Sequence, residues 1–148
     1  FSRIMSLKDG TKKMSKSDPS DLSRINLTDD KDKIINKIKK AKTDTMPMPN
    51  KEEDLKNRPE ALNLLEIYSS LSNQSIEKSK SEFSGKNFSY FKEKLSNLLV
   101  EKIEPISEEI KKLLNEEKHL DKILLEGTEK ANEFASTKVK EMKKIIGF

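Results

Sequence analysis

The 148-residue chain has no cysteine and a single histidine. The first absence excludes disulfides and thiolate metal sites. The lone His119, with Glu116, Glu117 and Asp121 around it but no second His or Cys, reads as a surface or capping residue, and no tightly bound metal is expected. No apolar run approaches the roughly 18 residues of a membrane span, and no charged-then-apolar leader opens the chain. A soluble, intracellular protein with no membrane partner is therefore expected. The chain starts at Phe1, in mid-phrase, and FSRIMSLKDG begins like the end of a strand, which reads as an excised C-terminal piece.

What the sequence does have is charge. At 38% charged and 32% hydrophobic residues, it can build one core only if its apolar side chains are economically patterned. The charge is also unevenly spread: residues 1–50 carry 12 Lys/Arg against 7 Asp/Glu, and residues 51–148 carry 18 against 19. All the net basicity lies in the first third, and a basic segment attracts phosphate, whether of a nucleotide or of a nucleic-acid backbone.

Apolar spacing predicts a mostly α fold. Arg3 to Leu7 alternates as a short strand, and Asp9-Gly10 supplies a turn into a basic loop. Asp18-Pro19-Ser20-Asp21 has the form of a helix start, with a cap, proline at the first position and an acid three residues on. A second start signal lies in Asn26 to Asp30. Beyond it Ile34, Ile35, Ile38 and Ala41 recur at helical spacing, with lysines 31, 33, 37, 39 and 40 expected mostly elsewhere on the surface, between plain solvent-facing charge and weak contact with an RNA backbone. Residues 43–59, with three prolines, read as an irregular, mobile connection.

Pro59 opens a helix with the stripe Ala61, Leu64, Leu65, Tyr68 and Leu71, and a shorter one follows over 75–83, stopped by Gly85. Two long amphipathic helices complete the chain. Phe88, Phe91, Leu95, Leu98, Leu99, Ile103, Ile106, Ile110 and Leu113 mark the first, with a kink or break expected near Glu101 to Pro105. Leu120, Ile123, Leu124, Ala131, Phe134, Ala135, Val139, Met142 and Ile145 mark the second, over about 118–145. With no sheet to pack on, these stripes are expected to bury one another, and Tyr68, Tyr90 and the phenylalanines are expected in the core.

The basic loop reads GTKKMSKSDP, residues 10–19. Lys13-Met14-Ser15-Lys16-Ser17 resembles the ATP-loop signature of the class I aminoacyl-tRNA synthetases, lying after a strand and before a capped helix as that family requires. Within the class the chain is similar to the tryptophanyl-tRNA synthetases of bacterial and organellar type, through KMSKSDPSD (13–21), INLTDD (25–30), IKKAKTD (38–44) and RPEALNLLEIYSSLS (58–72). The tyrosine enzymes usually carry Phe-Gly where Met14-Ser15 stand.

The resemblance implies residues 1–27 as the strand-loop tail of a Rossmann-like catalytic domain and residues 28–148 as a helical bundle of the anticodon-binding type. It implies activation of tryptophan by ATP, with Mg2+ accompanying the nucleotide, and transfer to tRNA(Trp). Lys13 and Lys16 would be catalytic, binding ATP together with Met14, Ser15 and Ser17. Gly10 would let the loop open and close, the helix after Asp18 would offer free backbone donors, and Lys12 would stay structural or solvated. A homodimer joined largely through an upstream domain is implied, which leaves this piece free to be a monomer, in a cytoplasmic or organellar enzyme. The second ATP signature and the tryptophan pocket would lie upstream, so the isolated piece is expected to be inactive. The alternative is a helical tRNA-binding or interaction module without chemistry of its own.

Overall fold

A computed structural model describes residues 3–147. Among these, two short strands, β1 (Met5–Ser6) and β2 (Asp9–Lys13), precede six α-helices: α1 (Lys31–Lys40), α2 (Glu52–Lys56), α3 (Pro59–Leu71), α4 (Ile76–Phe83), α5 (Phe88–Asn115) and α6 (Glu117–Ile146). The mostly α fold expected from the apolar spacing is borne out. The chain divides into two compact units, residues 1–108 and residues 109–148.

The first unit is built on α3, which is apolar on more than one side: Ala61, Leu64, Leu65 and Ile67 are all buried. The rings of Tyr68 and Phe83 meet edge to face at 4.7 Å, as do those of Phe83 and Phe91. Phe83 and Phe91 are fully buried, and such a side chain contributes roughly 1.5–3 kcal/mol. Tyr90 and Phe134 depart from expectation. Both are exposed: Tyr90 lies off the buried stripe of α5, and Phe134 lies on α6, none of whose residues is buried.

Start signals fix the helix ends. Asp30 caps α1 by accepting from Lys33 N, and Ser75 caps α4 by accepting from Lys78 N. Gly85, with φ 72°, follows α4 in the left-handed region that a glycine tolerates. At the far end of α1, Lys92 donates to the carbonyls of Ala41 (2.7 Å) and Lys39 (3.3 Å), and burial pushes its ammonium pKa down.

Four expectations need correction. The connection over 43–59 is tied down by one side chain: Arg58 holds both carboxylate oxygens of Asp44 (2.6 and 2.7 Å) and the carbonyls of Pro47 (2.7 Å) and Met46 (3.1 Å). A planar guanidinium can satisfy these acceptors together, and five residues of the connection form α2. Second, α5 runs through Pro105 as one continuous helix, so of the kink or break expected near Glu101 to Pro105 the break does not occur. Third, burial along α5 follows Phe88, Phe91, Leu95, Leu99 and Ile103 and passes to Ser107, leaving Ile106 exposed. Finally, no residue of α6 is buried, so its apolar stripe is not covered as the spacing suggested. Among the described residues no helix is long and apolar enough to cross a membrane.

The basic segment is also different in form. Its first residues, 10–13, belong to β2, paired antiparallel with β1 in a register that breaks between Met5 and Ser6. Gly10 is buried against the start of α3, where a Cβ would stand 2.5 Å from Glu60 N and Pro59 C. What the structure assigns to it is close approach of β2 to α3. Gly10→Ala should therefore destabilise the unit by about 1–3 kcal/mol, because the obstructing atoms are backbone. Urea unfolding followed by circular dichroism checks this, and a stability equal to the parent would show that β2 can lift off α3 freely.

Candidate functional site

The loop is a short turn suspended between two fixed ends. Lys13 closes β2, and Met14 lies half-buried against the core, its N–H donating to Ile4 O at 3.0 Å. Ser15 Oγ accepts from Ser17 N at 3.2 Å, and Asp18 N reaches Ser15 O at 3.4 Å. Lys13, Ser15, Lys16 and Ser17 are all exposed, so two ammonium groups, two hydroxyls and one apolar anchor lie within five residues. Among the described residues no carboxylate pairs with Lys13 or Lys16, whereas Lys12 meets Asp9 at 3.4 Å. Lys12 thus sits in the structural, solvated place expected of it.

Before the turn, the hairpin is fastened to α3. The buried Asn63 accepts from Met5 N (2.9 Å) and donates to Met5 O (3.0 Å), satisfying both backbone groups as a neighbouring strand would. Leu7 is bracketed likewise: its N–H bonds Ser23 O and its carbonyl takes Lys42 N. Lys42 also pairs through its ammonium with Glu60 at 2.7 Å, directly under Gly10.

After the turn, residues 18–30 wrap a buried cation. Lys37 Nζ is bonded to Asp29 Oδ2 at 2.6 Å and Asp21 Oδ2 at 2.8 Å, with its side chain only 2% exposed. Asp29 is buried beside it and accepts from Asn26 N; Asp21 also accepts from Asn26 Nδ2 and pairs with Arg24. Arg24 in turn donates to the carbonyls of Asp18 and Ser20. The hydrogen bond from Lys37, then that from Asn26, holds the Asp21 carboxyl below its ordinary pKa of 3.8 despite some desolvation.

This overturns two readings of the sequence. Lys37 is neither a solvent-facing charge nor available to RNA, because it is buried between carboxylates. The helix start expected at Asp18 is a single 3-10 turn over Asp21–Ser23, and Asp18 Oδ1 instead accepts from Ser20 N in a local turn. No run of free helix donors therefore faces the loop. Sequence reasoning missed Lys37, Asn63 and Arg58. For Lys37 a signal existed: Ile34, Lys37, Ile38 and Ala41 stand at i, i+3, i+4 and i+7, which places the lysine on the buried stripe. Asn63, set between Leu62 and Leu64-Leu65, is the one polar residue of an apolar run and so should have been assigned a partner.

A strand, a lysine-serine turn and a helical unit behind it form a combination that can be compared with known proteins. A family model described as tRNA synthetases class I (W and Y) matches residues 1–104. The chain belongs to this family. The class I synthetase resemblance read from Lys13 to Ser17 is thus borne out.

Among the relatives of this class I chain, the tryptophan-tRNA ligase of Rhizobium meliloti is 53% identical over 146 residues, covering 99% of the chain and 41% of the relative. That of Rickettsia felis is 50% identical over 146 residues, covering 99% and 44%. The chain thus spans well under half the length of these curated relatives. The crystal structure of tryptophanyl-tRNA synthetase from Mycoplasma pneumoniae superposes with a TM-score of 0.77 at 26% identity, over 99% of this chain and 45% of that one. The enzyme structure from Campylobacter jejuni, with a TM-score of 0.72 at 22% identity, shares the fold.

The hairpin's seat on α3 adjoins the Glu60–Lys42 ion pair. The hydrogen bond from Lys42 is the largest influence on Glu60 and, against the opposing effect of burial, holds its carboxyl below the ordinary 4.5. A carboxyl lowered in the folded state contributes stability that is complete above its unfolded value and lost as pH falls through the folded one. Melting temperature should therefore drop between about pH 5 and pH 3, and drop less in Glu60→Gln. Parallel curves for the two proteins would remove the Glu60–Lys42 pair from the account of hairpin docking.

Proposed function

We propose that these residues are the C-terminal part of a tryptophanyl-tRNA synthetase, which activates tryptophan with ATP and transfers it to tRNA(Trp). The observation that carries this reading is the Lys13–Ser17 turn, whose two exposed lysines pair with no carboxylate among the described residues. It stands in a chain half identical to tryptophan-tRNA ligases over nearly its whole length. Residues 1–27 would serve as the edge of the nucleotide-binding domain, and the helices over 28–148 would contact the tRNA anticodon. The homodimer expected of such an enzyme would form largely through residues outside this chain.

The chemistry accounts for the residue types. In adenylate formation an oxygen of the tryptophan carboxylate bonds to the α-phosphorus of ATP. The bond from that phosphorus to the β-bridging oxygen breaks, and negative charge gathers on the departing pyrophosphate. Lys13 and Lys16, exposed on flexible stems at the two ends of one turn, can follow that charge as it develops and so favour the transition state over bound ATP. Ser15 and Ser17 can donate to phosphate oxygens, and Met14 fixes the turn's height above the core. Mg2+ accompanying the nucleotide would make its main contacts to phosphate and water.

Tryptophan-dependent ATP–pyrophosphate exchange tests the reading. The 148-residue piece should show none, and the longer protein should be active. In that protein Lys16→Ala should reduce kcat by about 100- to 1000-fold with little change in the KM for tryptophan. Exchange by the piece alone, or unaltered kinetics in Lys16→Ala, would overturn the assignment. Binding of tRNA(Trp) without exchange in the longer protein would favour the non-catalytic module instead.

A further inference from the structure

The turn from Met14 to Ser17 makes few bonds of its own, the longest being Asp18 N to Ser15 O at 3.4 Å. Its shape must therefore come from its ends. The entry end is held by β2 on α3. The exit end is held by a relay that starts at Lys37: its ammonium binds Asp21, Asp21 binds the Arg24 guanidinium at 3.3 Å, and Arg24 binds Asp18 O at 2.9 Å, two residues from Lys16. The second carboxylate, Asp29, closes the same segment before α1 begins.

We propose that Lys37 is a positioning residue for adenylate formation, setting through Asp21 and Arg24 the place from which Lys16 reaches the phosphates. This rests on the reading of Lys16 given above. Packing alone does not call for a lysine here, since an apolar residue of similar length could fill the position without the cost of burying an ammonium. What the charge adds is a link between α1 and the chain leaving the loop. Lys37 touches no reacting atom, so its influence passes entirely through the direction of the 17–21 segment.

The variant that isolates this role is Asp21→Asn in the full-length protein. The Asp21 side chain is 56% exposed, and Lys37 keeps its buried partner Asp29, so the fold should be preserved. Amide hydrogen exchange over residues 13–20, without nucleotide, should accelerate about tenfold at an unchanged melting temperature. In tryptophan-dependent pyrophosphate exchange kcat should fall about tenfold, with the KM for tryptophan unaltered. In a Lys16→Ala background the same substitution should cost less than about twofold, because the group it positions is gone.

Lys37→Met should give the same pattern where it folds; where it does not, Asp21→Asn decides. Unchanged amide exchange, or an equal loss of kcat with and without Lys16, would overturn the proposal. An absence of tryptophan-dependent exchange in the parent protein would instead overturn the synthetase reading, and the Lys37 tether would then stand or fall on hydrogen exchange alone.

Discussion

A buried ammonium with two carboxylates around it is the constraint on which the front of this protein depends. Lys37 has Asp29 and Asp21 as its partners, and among the described residues neither carboxylate has another cation as close. The cost of removing such charges from water is large, and loss of the buried partner Asp29 would cost about 3–5 kcal/mol, whereas the half-exposed Asp21 is the lesser support. Residues 21 to 29 are therefore committed to lie against α1. Of its three apolar side chains, Ile25 packs against the core and Leu27 is exposed, so few contacts of that kind hold the stretch. Ionic geometry takes the part that hydrophobic burial plays in the helices.

The entry to the loop is held by different physics for the same end. Asn63 supplies a donor and an acceptor to Met5, and Gly10 lets β2 come close enough to α3 for the hairpin to seat. Backbone groups that would otherwise be buried without partners are satisfied by a helix side chain, which makes the hairpin part of the same compact unit as α3. Between these two anchorages the four polar residues of the turn are exposed. Rigid ends with free cations between them suit a loop whose lysines must find a charge that exists only briefly: the ends limit the volume to be searched, and the long stems allow final adjustment.

How much of this was legible in the sequence depended on whether the signal was local. Helix starts at Asp30 and Ser75 follow from capping bonds three residues apart, that at Pro59 follows from proline at the first helical position, and the apolar stripes of α1, α3 and α5 follow from a period of 3.6. The lysine turn was legible because its residue types sit together in five consecutive positions. Gly10, Arg58 and Asn63 were misread or missed because their partners lie 11 to 58 residues away, or across a packed surface, where no spacing rule reaches. Lys37 is the intermediate case. Its place on the stripe was visible, yet the abundance of lysine in α1 made it look like one more surface charge.

The last helix shows the complementary limit. The stripe of α6 is regular, but Phe134 and Ile145 are 85% and 83% exposed and no residue of the helix is buried. A hydrophobic period states which face of a helix would gain from burial; it does not state that anything covers that face. Lys37 obeys the same logic with the sign reversed: its position on the stripe of α1 said that the side chain would be covered, and only the two carboxylates made that tolerable for a charge. In both helices the sequence pattern describes a face; the structure gives Lys37 its partners and leaves the face of α6 exposed. A lysine on a buried stripe is thus the more informative anomaly, because burial of its charge requires acids nearby, whereas an exposed leucine or phenylalanine requires nothing.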